Sequence, residues 1–196
     1  MAESKGKAAE PSGEQRRLQI AVLVNRGADL LEAGRAAEAI PVLERALELD
    51  PEDISATINL AGAYIMAGKH RRAVPILERA CEREPHNPML WTNLGAAYLD
   101  RPPYATPEGE EKAIRAFERA LELNPAAPHV SYNLGLICKD RGELERAIEH
   151  FGRAISANPL DRDARMWRER LKAELERQAG AGPEDPPAEP REAAQT

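Results

Sequence analysis

Four prolines set the frame of this chain. LELDP (Leu47–Pro51), CEREP (Cys81–Pro85), LELNP (Leu121–Pro125) and ISANP (Ile155–Pro159) each close a segment of helical period. Proline has no amide proton for the next helical turn, and it pushes the residue before it out of helical dihedrals. Pro51 to Pro85 spans 34 residues and so does Pro125 to Pro159, while Pro85 to Pro125 spans 40, so one unit carries six extra residues. A fixed period of this size marks a repeat architecture.

Aligning the units on those prolines brings other residues into register. Position 8 is Gly27, Ala61, Gly95 and Gly135; position 20 is Ala39, Ala73, Ala113 and Ala147; position 27 is Ala46, Ala80, Ala120 and Ala154. Small residues at fixed positions let two helices approach closely where they cross. Position 24 is Leu43, Leu77, Phe117 and Phe151, a large apolar knob for the partner helix. Gly34, Gly68 and Gly142 fall at the mid-unit turn, where a helix end commonly needs a left-handed residue.

These residues resemble the tetratricopeptide repeat. The third unit carries the signature as Trp91, Leu94, Gly95 and Tyr98, followed by Ala113, Phe117, Ala120 and Pro125. The resemblance implies an all-α chain, an α-solenoid of four helix-turn-helix units at 20–53, 54–87, 88–127 and 128–161. A unit of this kind cannot bury its apolar face alone, so neighbours stack and the core runs on between them. Ala164, Trp167, Leu171 and Leu175 form one apolar stripe among Arg and Glu, which predicts a C-terminal capping helix over 160–178. The repeat domain is then 14–178. Residues 1–13 and 179–196, rich in Ala, Glu, Pro and Gly, are expected to be disordered tails. Ser12 and Gln15 have the spacing of a capping box at the start of the first helix.

Composition narrows the function classes. The chain has 27 basic and 33 acidic residues in 196, a net charge of -6, and only 4% aromatics. An anionic chain lacks the basic footprint of a nucleic-acid binder, so no nucleic-acid partner is expected. No run of apolar residues is long enough to cross a membrane, and the first residues hold no apolar leader core. A cytoplasmic, monomeric protein with no membrane association is the expectation. Cys81, at position 28, and Cys138, at position 11, fall on apolar helix positions and read as small buried hydrophobes rather than as a disulfide framework or zinc site.

No catalytic constellation emerges, and neither a cofactor nor a metal is expected. His70, His86, His129 and His150 occupy four different repeat positions, so none pairs with another on one helix face. GAYIMAGK (Gly62–Lys69) has five residues between its glycines instead of four, and His70 stands where a phosphate loop needs Ser or Thr. The carboxylates alternate with Arg and Lys as on a solvated surface.

The resemblance points instead to binding. In the family the first helix of each unit lines a concave surface, with positions 2, 5, 6, 9, 12 and 13 turned into it. Position 6 is Asn25, Asn59, Asn93 and Asn133. An asparagine row of this kind can hydrogen-bond a peptide backbone without reading its sequence. It is also a common family feature, and the row alone does not separate the two. Val24, Ile58, Ile65, Met66, Met89, Leu99, Tyr132 and Leu136 give the rest of the groove an apolar lining. Relatives that grip chaperone carboxylates place Lys at position 5 and Arg or Lys in the third unit. Val24, Met89 and Asn93 stand at those places here, so no carboxylate clamp is implied.

The expected function is therefore a non-enzymatic adaptor or scaffold that binds a protein or peptide segment in the concave groove. The alternative is an assembly or regulatory subunit of a larger complex, working through its convex face and ends. The insertion, 100–111, reads either as a lip on the groove or as a tolerated surface loop, the second being favoured, with Thr106 and Pro107 as the cap and first residue of the helix that follows. Pro41 and Pro75 are expected near the first turn of their helices, where a missing donor costs least.

Overall fold

A computed structural model describes residues 12–99, 106–127 and 129–180. Most of both expected tails, and residues 100–105 of the insertion, lie outside the described residues. Within the described residues the fold is all-α, of the helical-repeat, α-solenoid class. Its helices are α1 (Gly13–Glu32), α2 (Ala36–Leu49), α3 (Ile54–Met66), α4 (His70–Arg83), α5 (Pro88–Tyr98), α6 (Pro107–Leu123), α7 (Val130–Asp140), α8 (Leu144–Ala157) and α9 (Arg162–Gly180).

Local chemistry starts and stops these helices. The capping box is present on α1: Gln15 N–H donates to Ser12 Oγ at 3.2 Å, and Ser12 N–H donates to Gln15 Oε1 at 2.9 Å. Asp53, Asn87 and Asp161 accept the first free amides of α3, α5 and α9, from Ala56, Met89 and Ala164. Thr106 Oγ1 accepts from Gly109 N–H at 3.0 Å, with Pro107 as the first residue of α6. At the other ends Gly34, Gly68 and Gly142 have φ of 72°, 70° and 75°. Each closes the same double hydrogen bond; at the first turn Gly34 N–H reaches Leu31 O and Arg35 N–H reaches Leu30 O.

Pro41 and Pro75 are not in the first turn. Each is the sixth residue of its helix, α2 and α4. The bond each deletes belongs to the carbonyl four residues back, on Ala37 and Arg71, and all four residues are exposed. Water can serve those carbonyls, so the helices continue through the prolines.

The chain forms two compact units, 1–130 and 131–196. In the first, α1, α3 and α5 lie side by side and α2, α4 and α6 pack behind them. The knobs at position 24, Leu43, Leu77 and Phe117, are completely buried, as are Ala39, Ala73 and Ala113 at position 20. Each position-8 glycine here exists to admit its knob. A β-carbon on Gly27 would stand 2.4 Å from Leu43. Cys81 is buried in this core, and burial pushes its thiol up to about 12, with Glu78 adding to the shift. It is an inert thiol.

The second unit repeats the scheme with α7, α8 and α9. Phe151 is fully buried against Gly135, Cys138 is buried, and α9 adds Ala164 and Leu171 to the same cluster. Trp167 and Leu175 are partly buried against it, and Lys139 lies 4.8 Å above the Trp167 ring. The helix starts two residues later than 160, at Arg162, and ends at Gly180 rather than 178. Leu160 is 85% exposed because it sits in the turn, its N–H held by Asn158 Oδ1, and Asp161 is the residue that caps the helix.

Candidate functional site

The first helices of the first unit present the residues read from sequence as a groove. Asn25 is exposed; Val24, Ile58, Asn59 and Asn93 are half-buried. Ile58 and Ile65 rest partly on the core cluster, while Met66 and Met89 stand 52% and 53% exposed. Leu99, at the end of α5, is half-buried. Asn133, Tyr132 and Leu136 belong to α7 of the second unit. There Tyr132 and Leu136 are half-buried against the core that Trp167 also covers, and the Tyr132 ring meets Phe151 edge-on at 5.6 Å.

One expectation needs correction. At Asn93, position 6 does not point wholly away from the packed layer. Asn93 Nδ2 donates to the Ile58 carbonyl at 3.2 Å, tying α5 to α3. That carbonyl lies inside a helix, and the oxygen's second lone pair allows it to accept from both its own helix and Asn93. Asn93 therefore has an internal task, and the sequence pattern carries no sign of it.

Beside Asn93 the surface opens into a pocket of about 240 Å³. Pro88, Met89, Thr92 and Asn93 from α5 form one wall; Asn124, Ala127 and His129, from the connection after α6, form the other. Thr92 turns its hydroxyl back to the Pro88 carbonyl at 2.9 Å, which leaves its methyl for the lining. His129 has φ of 60°, a left-handed conformation uncommon for a residue with a side chain. Met89 and Asn93 belong to the groove expected from sequence. Asn124, Ala127 and His129 do not, because a connection between repeats gives no periodic signal.

A second cavity, about 320 Å³, lies between the turn at Pro51 and α4. Arg79, Glu82 and Arg83 border it, and Arg83 pairs with Glu52 across it at 3.4 Å. Charged side chains border this cavity, whereas among the described residues no Asp, Glu, Lys or Arg lines the pocket at Met89.

The units are also fastened by a repeated polar tie. Tyr64 donates its hydroxyl to Glu44 Oε1 at 2.6 Å, and Tyr98 does the same to Glu78, also at 2.6 Å. Both tyrosines occupy position 11, and both glutamates position 25 of the unit before. Burial, and then the bond to Glu44, push the Tyr64 phenol up to about 12; the same causes raise Tyr98. Arg72 completes the first tie, 3.0 Å from Glu44 and over the Tyr64 ring at 4.6 Å.

Among the described residues no group of three or more His, Cys, Asp or Glu is placed to hold a metal, and no helix is long and apolar enough to cross a membrane.

Paired helices in 34-residue register, with knob, glycine and interunit tie recurring, define a helical-repeat protein built to present a surface. The tetratricopeptide repeat profiles match residues 30–92, 111–161 and 139–185, and the chain belongs to that family. It is thereby a repeat scaffold of the protein-interaction kind. The insertion falls between the matched stretches, and the last stretch takes in α9. Among solved structures, TTC0263, a thermophilic tetratricopeptide repeat protein of Thermus thermophilus, is similar at 21% identity and a TM-score of 0.69, over 82% of this chain and 84% of that one. MamA of Desulfovibrio magneticus is similar at 22% and 0.58, over 76% and 81%. The MamA designated MSR-1 is similar at 27% and 0.54, over 71% and 77%. No curated protein matches by sequence.

Proposed function

We propose that the protein is a non-enzymatic adaptor that holds an extended, uncharged polypeptide segment along the groove formed by α1, α3 and α5. One observation carries the reading. In a chain whose residues are 31% charged, positions 5, 6 and 9 of these three helices hold only Val, Ile, Thr, Asn, Ala or Gly. Solvated helix faces elsewhere in the chain alternate Arg with Glu, as in the exposed Arg35–Glu38 and Arg45–Glu48 pairs. Position 13, at the end of α1, holds Glu32, so the charge-free part of the face is its central strip, and such a strip suits a partner segment that would lose hydration on docking without gaining a counter-charge. Asparagine supplies backbone hydrogen bonds there without demanding a particular side chain.

Gly62, at position 9 of α3, offers a clean test. A β-carbon there meets nothing within 4 Å, so Gly62→Glu brings a carboxylate to mid-groove with no clash at its β-carbon. Peptides selected against the wild-type chain by random display should be uncharged at their centre and should lose most of their affinity for Gly62→Glu. Undiminished binding to that variant would move the partner to another surface.

A further inference from the structure

The cavity between the turn at Pro51 and α4 lies apart from the groove, and none of the groove residues lines it. Its four charged side chains fall into two kinds. Arg83 and Glu52 are committed to each other: Arg83 donates to the Glu52 carbonyl at 3.3 Å and pairs with its carboxylate at 3.4 Å. Arg79 and Glu82 also line the cavity, and both are exposed. The same two residue types recur at positions 26 and 29 of the first and third repeats, where they close on each other. Arg45 meets Glu48 at 2.6 Å, and Arg119 meets Glu122 at 2.7 Å. Among the described residues Arg79 and Glu82 form no such pair, and neither has another side-chain partner. One cation and one anion, three residues apart on one helix face, are thus left open at the cavity.

Charge balance and shape restrict what can enter. A cationic guest would leave Arg79 unmatched, an anionic one Glu82, and an uncharged one both, whereas a zwitterion matches the two at once. Leu47 and Ile76, half-buried against the core, and buried Ala80 give the cavity an aliphatic floor, with Pro51 beside it. Thr57 spends its hydroxyl proton on the Asp53 carbonyl at 2.8 Å, so it has none to offer a guest. Among the described residues no aromatic ring lines the cavity. Its volume of about 320 Å³ is at the lower end of the ~300–1,000 Å³ of small-molecule sites, which suits a small ligand rather than a nucleotide or a peptide.

We propose that this cavity binds a free aliphatic α-amino acid of leucine or methionine size. Its carboxylate accepts from the Arg79 guanidinium, its ammonium donates to the Glu82 carboxylate, and its side chain lies on Leu47, Ile76 and Ala80. The site goes beyond the groove reading, and neither depends on the other.

Full-chain protein labelled with ¹³C at the isoleucine methyls provides the readout, since Ile76 reports the cavity while Ile58 and Ile65 report the groove. Free leucine should shift the Ile76 signal and leave Ile58 and Ile65 in place. Isocaproate, which lacks the ammonium, and isoamylamine, which lacks the carboxylate, should each bind about three- to tenfold more weakly, the scale of a charge-assisted bond at an exposed site. Arg79→Gln should remove the advantage of leucine over isoamylamine, and Glu82→Gln its advantage over isocaproate. Both residues are exposed and unpaired, so neither variant should change the melting temperature appreciably. Arg119→Gln, which breaks the closed pair of the third repeat, should leave leucine binding intact. No shift at Ile76 with leucine near its solubility limit would overturn the site, as would shifts confined to Ile58 and Ile65. Leucine affinity unchanged in either Arg79→Gln or Glu82→Gln would overturn it equally.

Discussion

A β-carbon on Gly95 of α5 would stand 2.6 Å from Cδ1 of the Phe117 ring on α6, and that ring is completely buried. Real β-carbons do not approach so closely, and a fully enclosed ring has little room to withdraw. Gly95→Ala gains helix propensity of about 0.8–1.0 kcal/mol but meets overpacking of about 1–3 kcal/mol. The net expectation is destabilisation by about 1 kcal/mol in urea melts. The second repeat already pairs Ala61 with Leu77 at these positions, both fully buried. Gly95→Ala combined with Phe117→Leu should therefore cost less than the two changes added together. Simple additivity would mean that the ring is not what excludes alanine.

Tyr64 gives an alkaline signature. Burial and the bond to Glu44 hold its folded pKa up, near 12, against an ordinary value of 10.0. The neutral phenol is the form the fold favours, so its stabilisation is complete below pH 10 and is lost as pH rises toward 12. Tyr64→Phe should cost about 1 kcal/mol at pH 7, the net worth of a hydrogen bond. Chemical melts of wild type and variant should converge as pH rises from 10 to about 12. A gap that stayed constant would show that the hydroxyl contributes nothing.

His150 gives the acid counterpart. Burial, and after it Arg153, lower its pKa from the ordinary 6.5, and its Nδ1 is buried with no hydrogen-bond partner. The folded chain favours the neutral ring, so its stabilisation is present above pH 6.5 and is lost as pH falls through the depressed value. The drop in melting temperature from pH 7.5 to 5.5 should be larger for wild type than for His150→Gln. Equal drops would assign the acid sensitivity to other groups.

Much of this fold is legible in the sequence because the repeat multiplies weak signals. A single Pro51 or Gly34 means little, but four prolines and three glycines in phase fix where helices end. The capping box at Ser12 and the cap at Thr106 are legible for a local reason, since both bonds span three residues. Pro41 and Pro75 lie a turn later than sequence rules place them: their exposure, which lets water replace the lost bond, is a property of packing. The Tyr64–Glu44 tie and the Asn93–Ile58 bond join residues 20 and 35 apart in sequence. The residue types are visible there, but the pairings depend on how one repeat is set against the next. The pocket is half legible, through Met89 and Asn93, because its other wall is an aperiodic connection.

The bonds its members already make give the asparagine row different expected responses to truncation. Asn93 ties α5 to α3 and is half-buried, so Asn93→Ala should destabilise by about 0.5–1.5 kcal/mol, the net worth of one hydrogen bond. Asn25 is exposed, and Asn25→Ala should stay within about 0.5 kcal/mol of wild type, as surface changes do. Asn59 decides the matter. It occupies the same position in the central repeat, half-buried, between Ile58 and the open surface at Gly62. If its amide is kept for a peptide backbone, Asn59→Ala should leave the urea midpoint nearly unchanged and weaken a display-selected peptide by about tenfold, the cost of an unpaired amide in a shielded groove. Asn59→Asp keeps one acceptor but adds a charge to an uncharged face, so it should bind no better than the alanine variant. A stability loss in Asn59→Ala equal to that in Asn93→Ala, with peptide affinity intact, would make the whole row an interunit fastening. The partner would then be held by the apolar lining at Ile58, Met66 and Met89 alone, and alanine changes there would have to carry the loss of affinity.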